Sequence, residues 1–364
     1  MMRVLLLSRY GRLGASSRVR SLQYLPFLES KGWQVDVNPL FSDNYLQSLY
    51  SGQSRGLQVL VGYWQRLKVL LYARRYDLIW IEKEAFPFMP ALAEWLLAKA
   101  GVPYVVDYDD ALFHRYDKHR RWLIRLILGR KIDSVMRHAA LVIAGNEYLA
   151  ERARTVGAQC VDIVPTVVDL TRYKVVHSDS NHPLVVGWIG SPSTSHYLPI
   201  IAPIFETLSK EFDVRFVAVG ASEESVGGLP MEAKPWTEET EVQSIQGFDI
   251  GIMPLVDDPW ERGKCGYKLI QYMACGLPVV ASPVGVNWQI VEHGTNGFLA
   301  QDLHEWEQAL RCLLNDQNLR QRMGAKGRES VEAWYSLQVQ APRLKELMRG
   351  ARNGKYTRHR DLLE

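Results

Sequence analysis

The densest run of groups able to do chemistry is Trp260 through Gly285, which reads WERGKCGYKLIQYMACGLPVVASPVG. Its middle predicts one short helix, opened by Gly263 and Gly266 and stopped by Gly276. A glycine turn ahead of a helix leaves backbone N–H groups free, and these add to the positive end of the helix dipole. That is an anion site suited to phosphate. Lys264 in the turn and Lys268 one helical turn later would neutralise a diphosphate; the plainer alternative is two solvated surface charges. A second phosphate-friendly turn is Gly190-Ser191-Pro192-Ser193-Thr194, after an apolar run. There a hydroxyl serves either an anion or the cap of the next helix.

Carboxylates concentrate in Asp107-Tyr108-Asp109-Asp110, at the end of another apolar run. Asp-x-Asp suits a divalent cation, an acid–base role or a hydroxyl acceptor. The alternative is a solvated capping loop. His114 follows closely and reads more readily as structural than catalytic. Gly11-Arg12-Leu13-Gly14-Ala15-Ser16-Ser17-Arg18 departs from the G-x-G-x-x-G dinucleotide pattern. It reads instead as a loop with Arg18 at a helix start. The stretch from Arg115 through Lys131 holds seven Lys/Arg against one Asp. On a helical wheel Lys118, Arg121 and Arg125 share one face, and Trp122, Leu123 and Leu126 another. Such a helix either lies on anionic lipid or packs its apolar face into a core. Arg66, Lys68, Arg74 and Arg75 form a second basic cluster. No stacking motif accompanies the charge, which argues against nucleic acid.

The elements that must position these groups are legible as alternation. Val- and Ile-rich runs at 4–7, 34–37, 78–81, 104–106, 141–144 and 162–164 predict strands, as do 184–189, 214–219, 250–253 and 279–281. Helical patterns separate them, so the chain reads as parallel βαβ units in two doubly wound halves. The linker-like Ser178-Asp179-Ser180-Asn181-His182-Pro183 separates the halves. The expected organisation is 1–175, 176–340 and a basic tail segment 341–364.

The chain has 364 residues, enough for about two domains. It is 47% hydrophobic and 23% charged, a soluble globular composition that excludes disordered, collagen-like and disulfide-scaffold classes. Its net charge of +3 conceals an asymmetry: residues 1–165 carry 23 basic and 15 acidic side chains. Cys160, Cys265, Cys275 and Cys312 form no CxxC pair, which predicts reduced thiols in a cytosolic protein. Ser8-Arg9-Tyr10 interrupts the opening apolar run, so no signal peptide is expected. No apolar run reaches the length of a membrane span.

The segment Gln271-Tyr272-Met273-Ala274-Cys275-Gly276-Leu277-Pro278-Val279-Val280-Ala281 resembles the E-A-M-A-x-G-x-P-V-V-A motif of the family 4 glycosyltransferases. Phe248 to Pro254, Gly294 to Leu299 and Val164 to Asp169 match further parts of that family. The resemblance spans nearly the whole chain and is tightest in the second half. It implies an α/β GT-B fold of two Rossmann-like domains facing across a cleft, with a C-terminal helix crossing back to the first. It implies a retaining transfer from a nucleotide-sugar held by the second domain to a glycan or lipid-linked acceptor on the first. No cofactor and no obligatory metal are implied.

The family's two glutamates, with seven residues between them, fall on Gly263 and Gln271. Glu261 stands near the first position. The amide of Gln271 retains the capacity to hold a ribose. The family's diphosphate-binding Arg and Lys are absent from their usual place after Gly190, leaving Lys264 and Lys268 to supply that charge. The donor set expected from this resemblance is Gly190, Ser191, Gly266, Tyr267 and Gln271. Gly14, Arg18 and Asp110 are expected on the acceptor side. The family's catalytic-site His falls on Asp109, which would orient or deprotonate the acceptor or stabilise an oxocarbenium-like sugar. With Lys264 and Lys268 it completes the catalytic set. The rival readings are an inactive scaffold that lost both glutamates and a nucleotide-sugar epimerase. The expected setting is cytoplasmic, with peripheral attachment to the inner membrane face in surface polysaccharide or glycolipid synthesis.

Overall fold

A computed structural model describes residues 1–50, 56–175 and 183–354. Most of the proposed linker, 178–182, and the last part of the basic tail lie outside the described residues. The chain divides into two compact units. The first comprises 1–166, 263–265 and 340–364, and the second comprises 167–262 and 266–339. The helix Leu337–Arg352 therefore belongs to the first unit from Gln340 onward.

Unit one is built on β1 (Met2–Leu7), β2 (Trp33–Val37), β3 (Leu78–Glu82), β4 (Tyr104–Tyr108), β5 (Leu141–Ala144) and β6 (Val161–Ile163). They pair in the order β2-β1-β3-β4-β5-β6, all parallel. Every residue of β3, β4 and β5 is buried. Helices on both faces of a parallel sheet produce this, which is why these strands read as unbroken apolar runs. Burying one such Leu, Ile or Val contributes roughly 1.5–3 kcal/mol. Trp80 of β3 packs edge-on to Tyr24 across 6.5 Å. In register, Glu82 lies opposite Asp107 and Tyr108 opposite Ala144, so the carboxyl ends of β3, β4 and β5 are level.

Unit two carries β7 (Leu184–Ile189), β8 (Val214–Val219), β9 (Glu232–Lys234), β10 (Ile250–Met253), β11 (Val279–Ala281) and β12 (Gly297–Leu299). The order is β12-β11-β10-β7-β8-β9, again parallel. The ten expected strands are all present. The two beyond expectation, β9 and β12, are three-residue strands at the two edges. Glu-Ala-Lys and Gly-Phe-Leu carry too little apolar pattern to signal a strand, and pairing with a neighbour alone defines them.

The stretch from Arg115 through Lys131 is not one amphipathic helix. It contains the helices His114–Asp117 and Trp122–Leu128, and Lys131 opens a third, Lys131–His138. Lys131 is buried against Glu84 and the Phe86 carbonyl. Trp122, Leu123 and Leu126 are exposed rather than packed into a core. Arg66 likewise leaves the surface cluster to which the sequence assigned it. Its guanidinium is fully buried and donates to the Asn38 carbonyl at 2.6 Å and to the Ala85 carbonyl at 3.3 Å. It ties the helix Gly56–Leu70 to the loops after β2 and β3.

Candidate functional site

In unit one the carboxyl ends of β1, β3 and β4 gather a charged cluster. Directly after β3, Lys83 adopts φ +66°, a left-handed backbone seldom taken by a residue with a side chain. Its ammonium lies 2.8 Å from Asp109 Oδ1 and 3.1 Å from Asp110 Oδ2. Ser16, in the helix Ala15–Arg20, donates to the other oxygen of Asp109. Burial opposes charge on Asp109, but Lys83, Arg20 and the Ser16 hydroxyl outweigh it and hold the carboxyl below the ordinary aspartate value. Burial likewise opposes charge on Lys83, and Asp109, Asp110 and Glu82 reverse it, so the ammonium is held more firmly than in a free lysine. Asp109 is thus a fixed anion. A carboxylate this acidic is a poor proton acceptor and a good electrostatic partner for developing positive charge.

The neighbouring groups are also committed. Asp107 receives Arg20 Nη2 at 2.6 Å, and burial pushes its carboxyl up to about 6, still ionised at neutral pH. Glu82 accepts from the Ser17 hydroxyl at 2.6 Å and from the Arg9 amide at 2.8 Å. Burial raises the pKa of Glu82. Asp-x-Asp is therefore already balanced by Arg20 and Lys83 rather than left open for a divalent cation. Among the described residues no group of three His, Cys, Asp or Glu is arranged to hold a metal. His114 is structural, with one ring nitrogen 2.9 Å from Asp117 and the other 2.8 Å from the Tyr148 hydroxyl. Gly14 precedes the helix Ala15–Arg20, and its amide donates to the Gly11 carbonyl. Arg18 lies within that helix rather than at its start; it is buried and donates to the Arg12 carbonyl at 3.2 Å.

The segment Gly263 to Cys265 packs with unit one. Asn146 Nδ2 donates to the Lys264 carbonyl at 2.9 Å, and Cys265 Sγ lies 3.1 Å from the Asp109 carbonyl. Burial pushes the Cys265 thiol up to about 12. A Cβ at position 263 would fall 2.5 Å from the Ala111 nitrogen. The close backbone contact explains a glycine where the resemblance expects a glutamate. Among the four cysteines, Cys265 and Cys275 are buried and Cys312 is exposed, and all are free.

In unit two the site forms at the carboxyl end of β7. A Cβ at Gly190 would lie 2.5 Å from the Trp188 ring and 2.8 Å from Lys268 Cε, so a larger residue forces a neighbour to shift. The Lys268 stem is therefore laid against Gly190, and its ammonium stands 5.3 Å from the centre of the Trp188 ring. Ser191 and Ser193 follow, with hydroxyls 2.8 Å apart. Ser191 precedes the 3-10 helix Pro192–Ile200 without capping it through its side chain. Lys268 is carried by the helix Tyr267–Ala274, which starts at Gly266 with φ +64°. That left-handed turn favours glycine, and a Cβ there would also fall 2.3 Å from the Ile290 Cδ1 methyl. The Tyr272 hydroxyl of the same helix accepts from the Ile189 amide at 2.9 Å, fixing helix to strand. Gly190, Ser191 and Lys268 thus converge. Lys264 does not join them as a diphosphate pair within one unit.

Gln271 is buried, and its Nε2 donates to the Tyr173 hydroxyl at 2.8 Å. That hydroxyl donates to Glu241, which also receives the Trp236 indole N–H. Tyr267 is half-buried beside this group and interacts electrostatically with the Tyr173 hydroxyl. Glu261 is buried and accepts from the Tyr197 hydroxyl. Lys83, Ser16 and Trp188 were absent from the expected site. Lys83 had a signal, since Glu82-Lys83-Glu84 directly follows a predicted strand and so falls at its carboxyl end.

Residues 6–168 match the family model described as glycosyl transferase 4-like domain, and 183–316 match glycosyl transferases group 1. Among solved structures, Alr3699/HepE of Anabaena in complex with UDP superposes with TM-score 0.68 at 18% identity, covering 96% of this chain and all of that one. Sucrose-phosphate synthase of Thermosynechococcus elongatus gives 0.70 at 16% identity, covering 96% and 98%. N-acetyl-alpha-D-glucosaminyl L-malate synthase of Bacillus anthracis is 35% identical over 74 residues, 20% of this chain and 19% of that protein. The matched stretches span between about a fifth and a third of the length of the curated relatives. By these matches, residues 6–168 are similar to the glycosyl transferase 4-like domain and residues 183–316 to the glycosyl transferases group 1 domain, on a GT-B fold of two Rossmann-like domains.

Proposed function

We propose that the chain is an active glycosyltransferase that moves a sugar from a nucleotide-sugar to a glycan or lipid-linked acceptor, with retention of configuration. The observation that carries this reading is the convergence of Gly190, Ser191 and Lys268 at the end of β7. Backbone amides at a glycine turn, hydroxyls and one ammonium are the groups that stabilise a diphosphate as it departs. Gly266 and Tyr267 present the start of the helix that carries Lys268. Gln271, with Tyr173, forms the ribose side. Lys264 belongs to unit one. There Asp109, held ionised by Lys83, stabilises positive charge on the sugar rather than removing a proton. Asp110, Gly14 and Arg18 frame the acceptor side. A role in surface polysaccharide or glycolipid synthesis follows from such an acceptor.

No group in this reading calls for a cofactor or an obligatory metal. Neither rival is favoured by a specific contact. A scaffold has no need of an ammonium laid against a glycine turn.

UDP is the first nucleotide to test, because Alr3699/HepE is described in complex with UDP and with UDP-glucose. A ligand at about 100 times its dissociation constant adds about 2.7 kcal/mol of stability, a readily seen thermal shift. A panel of UDP, GDP, ADP and CMP should give one shift, lost in Lys268→Ala. No shift with any nucleotide would move the chain to the scaffold class. Conversion of a nucleotide-sugar without acceptor, followed by NMR, would make it an epimerase.

A further inference from the structure

The helices Gly56–Leu70, Leu92–Lys99 and Trp122–Leu128 lie in the connections β2 to β3, β3 to β4 and β4 to β5. Those connections all advance in one direction across the sheet, so right-handed crossovers place all three helices on one face. Their inward residues, among them Val69, Leu97 and Ile124, join one core cluster with Ile79, Tyr104 and Val142. The segment 85–88 links the three, and the Ala85 amide donates to Glu94 of the second helix at 2.8 Å. The Tyr63 hydroxyl donates to the Pro87 carbonyl at 2.6 Å, Phe88 lies edge-on to Tyr116 and His119, and Arg125 donates to the His119 carbonyl at 2.7 Å.

The outward residues of these helices are apolar to an unusual degree. Leu60, Trp64, Leu96, Trp122, Leu126 and Ile127 are all exposed, Leu126 at 72% and Leu60 at 70%. Phe88 and Met89, between the first two helices, are exposed as well. A contiguous apolar face of this kind marks an interaction surface. Cations surround it: Lys68, Arg74 and Arg75 beside the first helix, Lys99 on the second, Arg121 and Arg125 on the third. Lys68 lies over the Trp64 ring, Arg75 over Tyr72 and Lys99 over Trp95. Across 56–75, 85–99 and 118–130 the only carboxylate is Glu94, which is buried and accepts from the Ala85 amide.

We propose that this three-helix face docks on an anionic lipid bilayer. Indole rings with leucines between them, ringed by lysine and arginine and free of exposed acid, match the acyl boundary below and the anionic headgroups above. A protein partner would be expected to meet mixed charge, and a bilayer meets one sign only. The face also adjoins the Asp109 region. The Tyr116 hydroxyl donates to Glu84, one residue after Lys83, and accepts from the Phe88 amide at 3.0 Å. A lipid-linked acceptor would thus arrive beside the carboxyl ends of the first sheet.

The test is sedimentation of the full chain with vesicles, without nucleotide, so that it stands apart from the transferase reading. Vesicles of phosphatidylcholine mixed with phosphatidylglycerol should carry the protein down at low salt, and phosphatidylcholine alone should not. Trp122→Ser with Leu126→Ser should weaken binding by about tenfold or more. Arg121→Glu should weaken it and reduce its salt dependence. Circular dichroism and an unchanged thermal midpoint would show that the variants fold. No binding to anionic vesicles at low salt, or equal binding by the variants, overturns the proposal. So does a concentration-dependent dimer in lipid-free solution that the double variant disperses, because the face would then be a contact between copies.

Discussion

The Lys83 ammonium stands 2.8 Å from Asp109 Oδ1, with both side chains largely buried and Lys83 held at φ +66°. A residue with a side chain rarely adopts that backbone, so the contact is made at a conformational cost of order 1–3 kcal/mol. The pairing of β3 with β4 makes it possible, because Glu82 lies opposite Asp107 and the Lys83 amide donates to the Asp107 carbonyl, two residues before Asp109. The pair fixes the charge state of the one acidic group in unit one expected to face a reacting sugar.

Removing Lys83 should expose what it offsets. Lys83→Met leaves Asp109 buried with Ser16 as its remaining close donor, and breaking a buried pair in this way costs about 3–5 kcal/mol. Urea unfolding at neutral pH measures the loss. Adding Asp109→Asn to Lys83→Met should recover part of it, because the uncompensated charge is then gone. If the double variant is the less stable by the sum of the two single losses, the pair is not coupled.

The pH dependence of stability has a definite sign. The native Asp109 carboxyl lies below its ordinary value of 3.8, since Lys83 and Arg20 outweigh burial. The unfolded chain therefore takes up the proton first as pH falls. The contribution of the group is complete above its unfolded value and is lost as pH drops through the native one. The stability difference between the wild type and Asp109→Asn should be flat from about pH 8 to pH 5 and narrow below about pH 4. A difference that changes between neutral pH and pH 5 would place the native carboxyl above the unfolded value. In turnover, Asp109→Asn should lower kcat without moving an acid limb near neutrality.

Gly190 ties packing to binding. Gly190→Ala places a methyl 2.5 Å from the Trp188 ring and 2.8 Å from Lys268 Cε. The ring is buried in the core and has little freedom, whereas the lysine stem is flexible. The lysine should therefore swing away, with a stability loss of about 1–3 kcal/mol from overpacking. Nucleotide affinity measured by calorimetry should fall about as far as in Lys268→Ala. Lys264→Ala should cost less, because the segment around Lys264 is held on unit one through the Asn146 amide and the Lys264 carbonyl, not its ammonium. Equal losses for the two lysines would restore the two-lysine diphosphate site that the spacing suggested.

The sequence made the sheets legible because a strand covered on both faces must be apolar throughout, as β3 and β5 nearly are, and ten Val- and Ile-bearing runs stand out between helical stretches. Edge strands β9 and β12 escaped for the converse reason. The turn at Gly190 and the helix opened by Gly266 were also legible, since glycine and hydroxyl chemistry at a strand end is local. Lys83 was not, because its importance comes from pairing between β3 and β4, separated by a helix in sequence. The exposure of Trp122 and Leu126 was left open for a related reason. A helical wheel shows that an apolar face exists and does not show whether the fold covers it. Gly263 looked like a lost glutamate in sequence, and only the 2.5 Å approach to Ala111 shows why no side chain fits.

The other position where the resemblance expects a glutamate gives the most discriminating substitution. Gln271 donates from Nε2 to the Tyr173 hydroxyl, which has one proton and gives it to Glu241 at 2.8 Å. A carboxylate at 271 has no proton to give, so Gln271→Glu would set two carboxylates on one phenol inside the domain. Burial and the Glu241 charge would raise the pKa of the new group above the ordinary carboxylate range. Below that raised value the acid is neutral and donates to Tyr173 much as the amide does. Above it the variant carries a buried charge lacking a donor, at a cost of about 1–3 kcal/mol or more. The destabilisation should therefore be small near pH 5 and grow as pH rises toward 8, with thermal midpoints of variant and wild type diverging over that range. A variant as stable as the wild type at pH 8 would mean that the Tyr173 hydroxyl turns toward position 271 and that this sequence tolerates the family's glutamate. Restored stability together with faster transfer would return the ribose role to the side chain at 271 itself.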